Sequence, residues 1–210
     1  MKKLFAILMA ALMLATFASC GEKKDETKAD DTTVAETEAK ETDEKADPEI
    51  EKDEVGSALE AFETAWAAHG DDEKFFVWGG SAAENVMDAP GAIAADDVDT
   101  LGMLYFPEAY AGKIDDAATL FHGMLTNNFS GAVLHFTDAA DVEGFITDME
   151  ASLKSAQWMC GFPEKMSIAT INDDYVVVMF GLGDVVDNFD SKFADSYSTY
   201  NVVVNGIVVE

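Results

Sequence analysis

Three hydrophobic patterns follow one another along this chain. Leu4 to Ala18 is an unbroken apolar run behind Met1-Lys2-Lys3. Residues 21–54 hold almost no large apolar side chain. From Val55 onward apolar positions return with regular spacing. Leu59, Phe62, Trp66 and His69 fall on one stripe at helical spacing, which predicts a helix over 56–69 followed by Gly70 as its stop. "KFFVWGG" reads as a short aromatic strand ended by glycines. Residues 81–112 show little periodicity beyond a short helix that starts near Asp96 or Asp97 and stops before Pro107. "DDAATLFHGMLTNNF" is expected to be a helix capped at Asp115, with Leu120, Phe121, Met124 and Leu125 facing inward.

Beyond Gly131 the pattern sharpens. "GAVLHF" reads as a strand. A helix capped near Thr137 or Asp138 follows, with Val142, Phe145, Ile146, Met149 and Leu153 on one face. "CGFPEK" is a loop, and "SIATI" and "YVVVMF" form a hairpin around Asn172-Asp173-Asp174. A helix capped by Asp184 turns Val186, Phe189, Phe193 and Tyr197 inward. "YNVVV" is the last strand, with Asn205-Gly206 expected to make a tight type I′ turn into "IVVE". The expected class is α+β: a single domain with a ferredoxin-like β-α-β-β-α-β core over 131–204, both helices on one face of an antiparallel sheet, plus N-terminal helices.

Composition divides the chain at the same places. Residues 21–54 carry fifteen acids and six lysines. Such a segment buries too little apolar surface to offset the entropy of ordering, so a disordered tether is expected. A flexible chain of that length reaches roughly 30 Å. Residues 55–210 carry five lysines against 26 acids, a net −21, and the whole chain has no arginine. A partner role with nucleic acid is thereby excluded, because cationic contacts to phosphate drive that binding. Bidentate capture of phosphate or carboxylate by arginine is excluded with it.

The first apolar run is shorter than the ~20 residues of a membrane span and is laid out like a secretory signal. Its end, Phe17-Ala18-Ser19-Cys20, resembles the lipobox of bacterial lipoproteins, with Phe17 where that pattern usually has Leu. The resemblance implies cleavage before Cys20, a diacylglycerol thioether on Cys20 with further acylation such as palmitate, and retention on the outer face of the cell membrane. The expected organisation is therefore a signal peptide over 1–19, a lipid-anchored acidic tether over 20–54 and an extracytoplasmic domain over 55–210. The stretch from "LTNNFSGAVLHF" to "YVVVMFG", roughly 125 to 205, with its "QWMCGFPEK" loop, is similar to small extracytoplasmic lipoproteins of Gram-positive bacteria. That likeness implies architecture and location and transfers no activity.

With Cys20 lipidated, Cys160 has no cysteine partner in the mature chain. Two readings of it stand: a reactive thiol aided by one of His69, His122 and His135, or a small buried hydrophobe among Trp158, Met159 and Phe162. The histidines show no metal-ligand spacing. Acid clusters at Asp71-Asp72-Glu73, Asp96-Asp97-Asp99, Asp115-Asp116 and Asp173-Asp174 sit where caps and turns are expected, and allow weak divalent-cation binding without a calcium-loop pattern. Phe75, Phe76, Trp78 and Tyr105 read as core residues or as a sugar-stacking platform. No cofactor is implied. The function expected is a non-enzymatic, lipid-anchored surface domain binding a protein or small molecule. The rival readings are a thiol enzyme using Cys160 and a transporter's solute-binding lipoprotein.

Overall fold

A computed structural model describes residues 51–208. The expected signal peptide over 1–19, Cys20 and the expected tether up to residue 50 lie outside the described residues. The described fold is α+β, with helices on an eight-stranded sheet in which every pairing is antiparallel.

Helix α1, Ala58–Ala67, starts where the Ser57 side chain accepts the Glu60 N–H. Strands β1 (Val77–Gly80), β2 (Asn85–Met87) and β3 (Gly91–Ile93) follow, then α2 (Val98–Met103), capped by Asp97. Next come β4 (Ile114–His122), β5 (Phe129–Phe136), α3 (Val142–Ser155), β6 (Lys165–Ile171), β7 (Tyr175–Gly181), α4 (Gly183–Ser196) and β8 (Asn201–Ile207). The strand order is β2-β1-β4-β5-β7-β6-β8, and β3 also pairs with β4. β1 and β3 share the same side of β4, and their backbones nearly touch. A Cβ on Gly91 would lie 2.4 Å from the Gly80 nitrogen, so only glycine fits that crossing.

The expected helix beginning at Asp115 is corrected: 114–122 is a nine-residue strand, β4. Its residues are buried on both sides of the sheet, Ala117 and Phe121 on one face and Ala118 and Leu120 on the other. A continuous apolar run of that kind suits a central strand as well as a helix, and periodicity cannot separate the two. The Asn205-Gly206 turn is also corrected. Both residues lie inside β8, opposite Ser167 and Met166. Nor does Asp184 cap α4 from outside. It lies in the first turn, and the Glu164 carboxylate accepts the Gly183 N–H at 2.9 Å instead.

The expected β-α-β-β-α-β order is present, but the ferredoxin-like placement of both helices on one face is corrected. α3 contributes Phe145, Ile146 and Met149 to one core, with Leu134 of β5 and Val178 of β7. α4 contributes Val186, Phe189 and Phe193 to the other core, with α1, Val133 and Val177. The alternation of β5 and β7 residues between the cores places the cores on opposite faces. The cause is topological. β5–α3–β6 crosses over β7, and β7–α4–β8 crosses over β6, so both crossovers step in the same direction across the sheet. Their starting strands, β5 and β7, are antiparallel. Right-handed crossovers from opposed strands must then lie on opposite faces.

Candidate functional site

The register gives the sheet two dissimilar ends. At one end lie the start of β4, the β5–α3 connection, the β6–β7 turn and the start of β8, since Ile114 pairs with Phe136, His135 with Tyr175 and Asn201 with Thr170. This end is acidic, with Asp115, Asp116, Asp138, Asp141, Asp173 and Asp174. Lys113 pairs with Asp141 at 2.5 Å and Lys52 with Asp173 at 3.3 Å. His135 Nδ1 lies 2.5 Å from Asp115.

The described chain begins at this acidic end, and its first contacts are made upstream of Val55. The Asp53 carboxylate accepts the Thr199 N–H at 2.7 Å, the Thr199 hydroxyl at 2.6 Å and the Ser198 hydroxyl at 3.0 Å. The Asp53 N–H donates to Asn172 Oδ1 at 2.9 Å, and Asn172 Nδ2 donates to the Asp53 carbonyl at 3.2 Å. Burial pushes the Asp53 carboxyl up, but the Thr199 and Ser198 donors prevail and hold it below its ordinary value. Asp116 accepts the Ala58 N–H at 2.7 Å, so the same end also fixes the start of α1.

The opposite end is built from the β4–β5 and α3–β6 loops and the β7–α4 connection, since Gly181 pairs with Phe129 and with Lys165. Residues 122–130 and 155–163 contain no Asp, Glu, Lys or Arg, and Glu164, Lys165 and Asp184 flank them. The Asn127 amide joins the loops by donating to the carbonyls of Met159 at 3.0 Å and Gly161 at 2.9 Å. Trp158 anchors the second loop with its ring 4.6 Å from Tyr105 and 5.4 Å from Phe180. His122 Nδ1 accepts the Met124 and Leu125 N–H groups, and burial holds the imidazole below its ordinary pKa. Phe76 lies over Gly123, where a Cβ would meet its ring at 2.2 Å. Between these anchors, large apolar side chains face solvent: Met124 is 85% exposed, Met159 79%, Phe162 66% and Phe76 47%. These exposed methionine and phenylalanine side chains make this end the candidate interaction surface.

Cys160 sits on this tip and is exposed, which corrects the reading of it as a buried hydrophobe. Cys160 and Gly161 both have positive φ, 63° and 129°, and the resulting turn carries the thiol outward while Trp158 stays in. Among the described residues the sulfur has no hydrogen-bond or ionic partner. His69 is buried 4.3 Å from the Phe189 ring, with Nδ1 bonded to the Ala65 carbonyl. Burial lowers its pKa. His69 and His122 flank the Trp66–Phe75 aromatic pair, and His135 lies at the acidic end. Among the described residues no three His, Cys, Asp or Glu side chains are grouped to hold a metal ion. The aromatic platform is not assembled either: Phe75 packs with the core of one face, and Trp78 and Tyr105 pack with the other.

Sequence reasoning misses the tip because a helix over 115–129 turns Met124 and Leu125 inward. The available signal is the stretches 122–130 and 155–163, each free of charge in a chain that is 26% charged. Among the described residues no helix is long and apolar enough to cross a membrane. Compared with known proteins, the chain matches no family model, no curated protein and no solved structure.

Proposed function

We propose that this chain is a lipid-anchored cell-surface lipoprotein whose domain is a non-enzymatic binding module, presenting its uncharged tip to a protein partner outside the cell. The observation that carries this reading is the arrangement of the two ends. The chain arrives from the tether at the acidic end, and the exposed Met124, Met159 and Phe162 stand at the other. Anionic headgroups repel the net-negative domain as a whole and keep it off the bilayer, the attachment point sets which end is nearer, and diacylglycerol with a further acyl chain on Cys20 supplies stable anchoring.

Two paired measurements test it. Palmitate-analogue labelling and membrane fractionation should both be lost in Cys20→Ser. A short photo-crosslinker attached to Cys160 on intact cells should give a defined adduct that disappears in Met159→Glu/Phe162→Glu. Persistence of membrane association in Cys20→Ser overturns the anchor. An adduct pattern indifferent to charges on the tip overturns the binding surface.

A further inference from the structure

Strand β8 ends the sheet and is bonded to β6 on its inner side, and among the described residues nothing pairs with its outer side. Proteins usually guard such edges with short strands, lysine or proline. β2 at the other edge is guarded by length, at three residues. β8 is seven residues, NVVVNGI, with no charge and no proline. Val202, Val203 and Ile207 are exposed along it. Its one irregularity is at Val203, between the pairs Ile168↔Val204 and Ala169↔Val202. Beside this edge, between α3 and β8, runs a groove of about 520 Å³. Val142, Ile146, Val203 and Val204 give it apolar walls, and Glu143, Glu150 and Asp173 line it as well; Lys154 bridges Glu150 at 2.7 Å and Lys52 bridges Asp173 at 3.3 Å, which leaves the Glu143 carboxylate as the main attraction for a basic side chain.

We infer that β8 and this groove bind an extended peptide segment with alternating apolar and basic side chains, added to the sheet as a further strand. The inference rests on the binding-module reading. Free N–H and C=O groups of β8 supply main-chain bonds, and the groove takes side chains on one face, which is how strand addition divides affinity from specificity. Charge selects the occupant. A domain of net −21 with acids in the groove attracts lysine- or arginine-bearing segments and repels acidic ones, including a second copy of itself.

The test uses the full chain in neutral-lipid nanodiscs at low salt, titrated with an acetylated heptapeptide alternating valine with lysine and threonine. Saturable binding is expected, weakened at least about tenfold when alternate backbone amides are N-methylated or when lysine is replaced by glutamate. Val202→Lys/Ile207→Lys, two exposed positions, should weaken it similarly without changing the circular dichroism. Glu143→Lys should weaken it with less loss. Binding that ignores N-methylation, equal binding of lysine and glutamate peptides, or none at all overturns the inference. So does self-association abolished by Ile207→Lys, which would make the occupant a second copy. This titration does not read Cys20 or the tip, so its failure is separable from failure of the binding-module reading.

Discussion

Phe145 on α3 and Phe189 on α4 are both fully buried, and they belong to cores on opposite faces of the sheet. Phe189 stacks on Phe129 at 4.3 Å and 12°, and on Trp66 at 6.0 Å and 9°. Phe145 meets Phe136 at 4.9 Å, Tyr110 at 5.3 Å and Phe106 at 5.4 Å. Replacing either by Leu keeps most of the apolar volume but removes these ring pairs, two for Phe189 and three for Phe145, worth ~0.5–1.5 kcal/mol each, so each change should cost about 1–4 kcal/mol. A domain in the upper part of the ordinary range of ~5–15 kcal/mol survives both. With the sheet between the two sites, the double variant should lose the sum of the single losses to within ~0.5 kcal/mol. Urea unfolding followed by circular dichroism reads this directly, provided the denaturant slope is unchanged. An interaction energy above ~1 kcal/mol would show that the two helices share one core, and would refute the opposite-face topology.

Acidification should destabilise the domain in two windows. His69 and His122 have pKa values lowered by burial, so the unfolded chain binds more protons as pH falls through their ordinary value of about 6.5. Their contribution is complete above that pH and is lost below it, and His69→Phe should flatten the decline of the melting temperature with pH. Asp53, held below its ordinary value of about 4, contributes stability that is complete above that pH and lost as pH falls further. Glu73, which accepts the Gly70 N–H, is lowered too, so Asp53→Asn should shrink that second window without removing it, at a screened cost of order 1 kcal/mol, and should increase hydrogen exchange at Thr199. Gly91→Ala places a Cβ 2.4 Å from the Gly80 nitrogen and should cost about 1–3 kcal/mol in thermal or urea unfolding. Exposed Cys160 should react with a chromogenic thiol reagent in the folded chain nearly as fast as in denaturant, and a thiol masked until unfolding would contradict its place on the tip.

Helices whose apolar residues recur with helical spacing were legible in the sequence. Phe62 and Trp66 on α1, the Val142–Leu153 stripe on α3 and Val186, Phe189 and Phe193 on α4 all face cores as their spacing requires. The β6–β7 hairpin was legible from its turn. β4 was not, because a central strand packed on both faces carries no alternation. The faces of α3 and α4 were not legible either. They depend on which neighbour β8 chooses, a long-range pairing with β6 that no local pattern encodes. The tip escapes for a related reason: a helix over 115–129 leaves Met124 no route to the surface. Asp53 escaped because one acid among fifteen in residues 21–54 carries no mark of its fixed partners in Asn172, Ser198 and Thr199.

The proposed display of the tip away from a membrane is tested most directly by collisional quenching. The full chain, expressed in a bacterium and extracted in detergent, is reconstituted in vesicles with a headgroup quencher, carrying a fluorophore either on Cys160 or, in Cys160→Ser, at Asp173→Cys. The account predicts membrane binding, with stronger quenching at position 173, beside the point where the tether arrives, than at position 160. Equal or stronger quenching at 160, or no binding to vesicles, would contradict it.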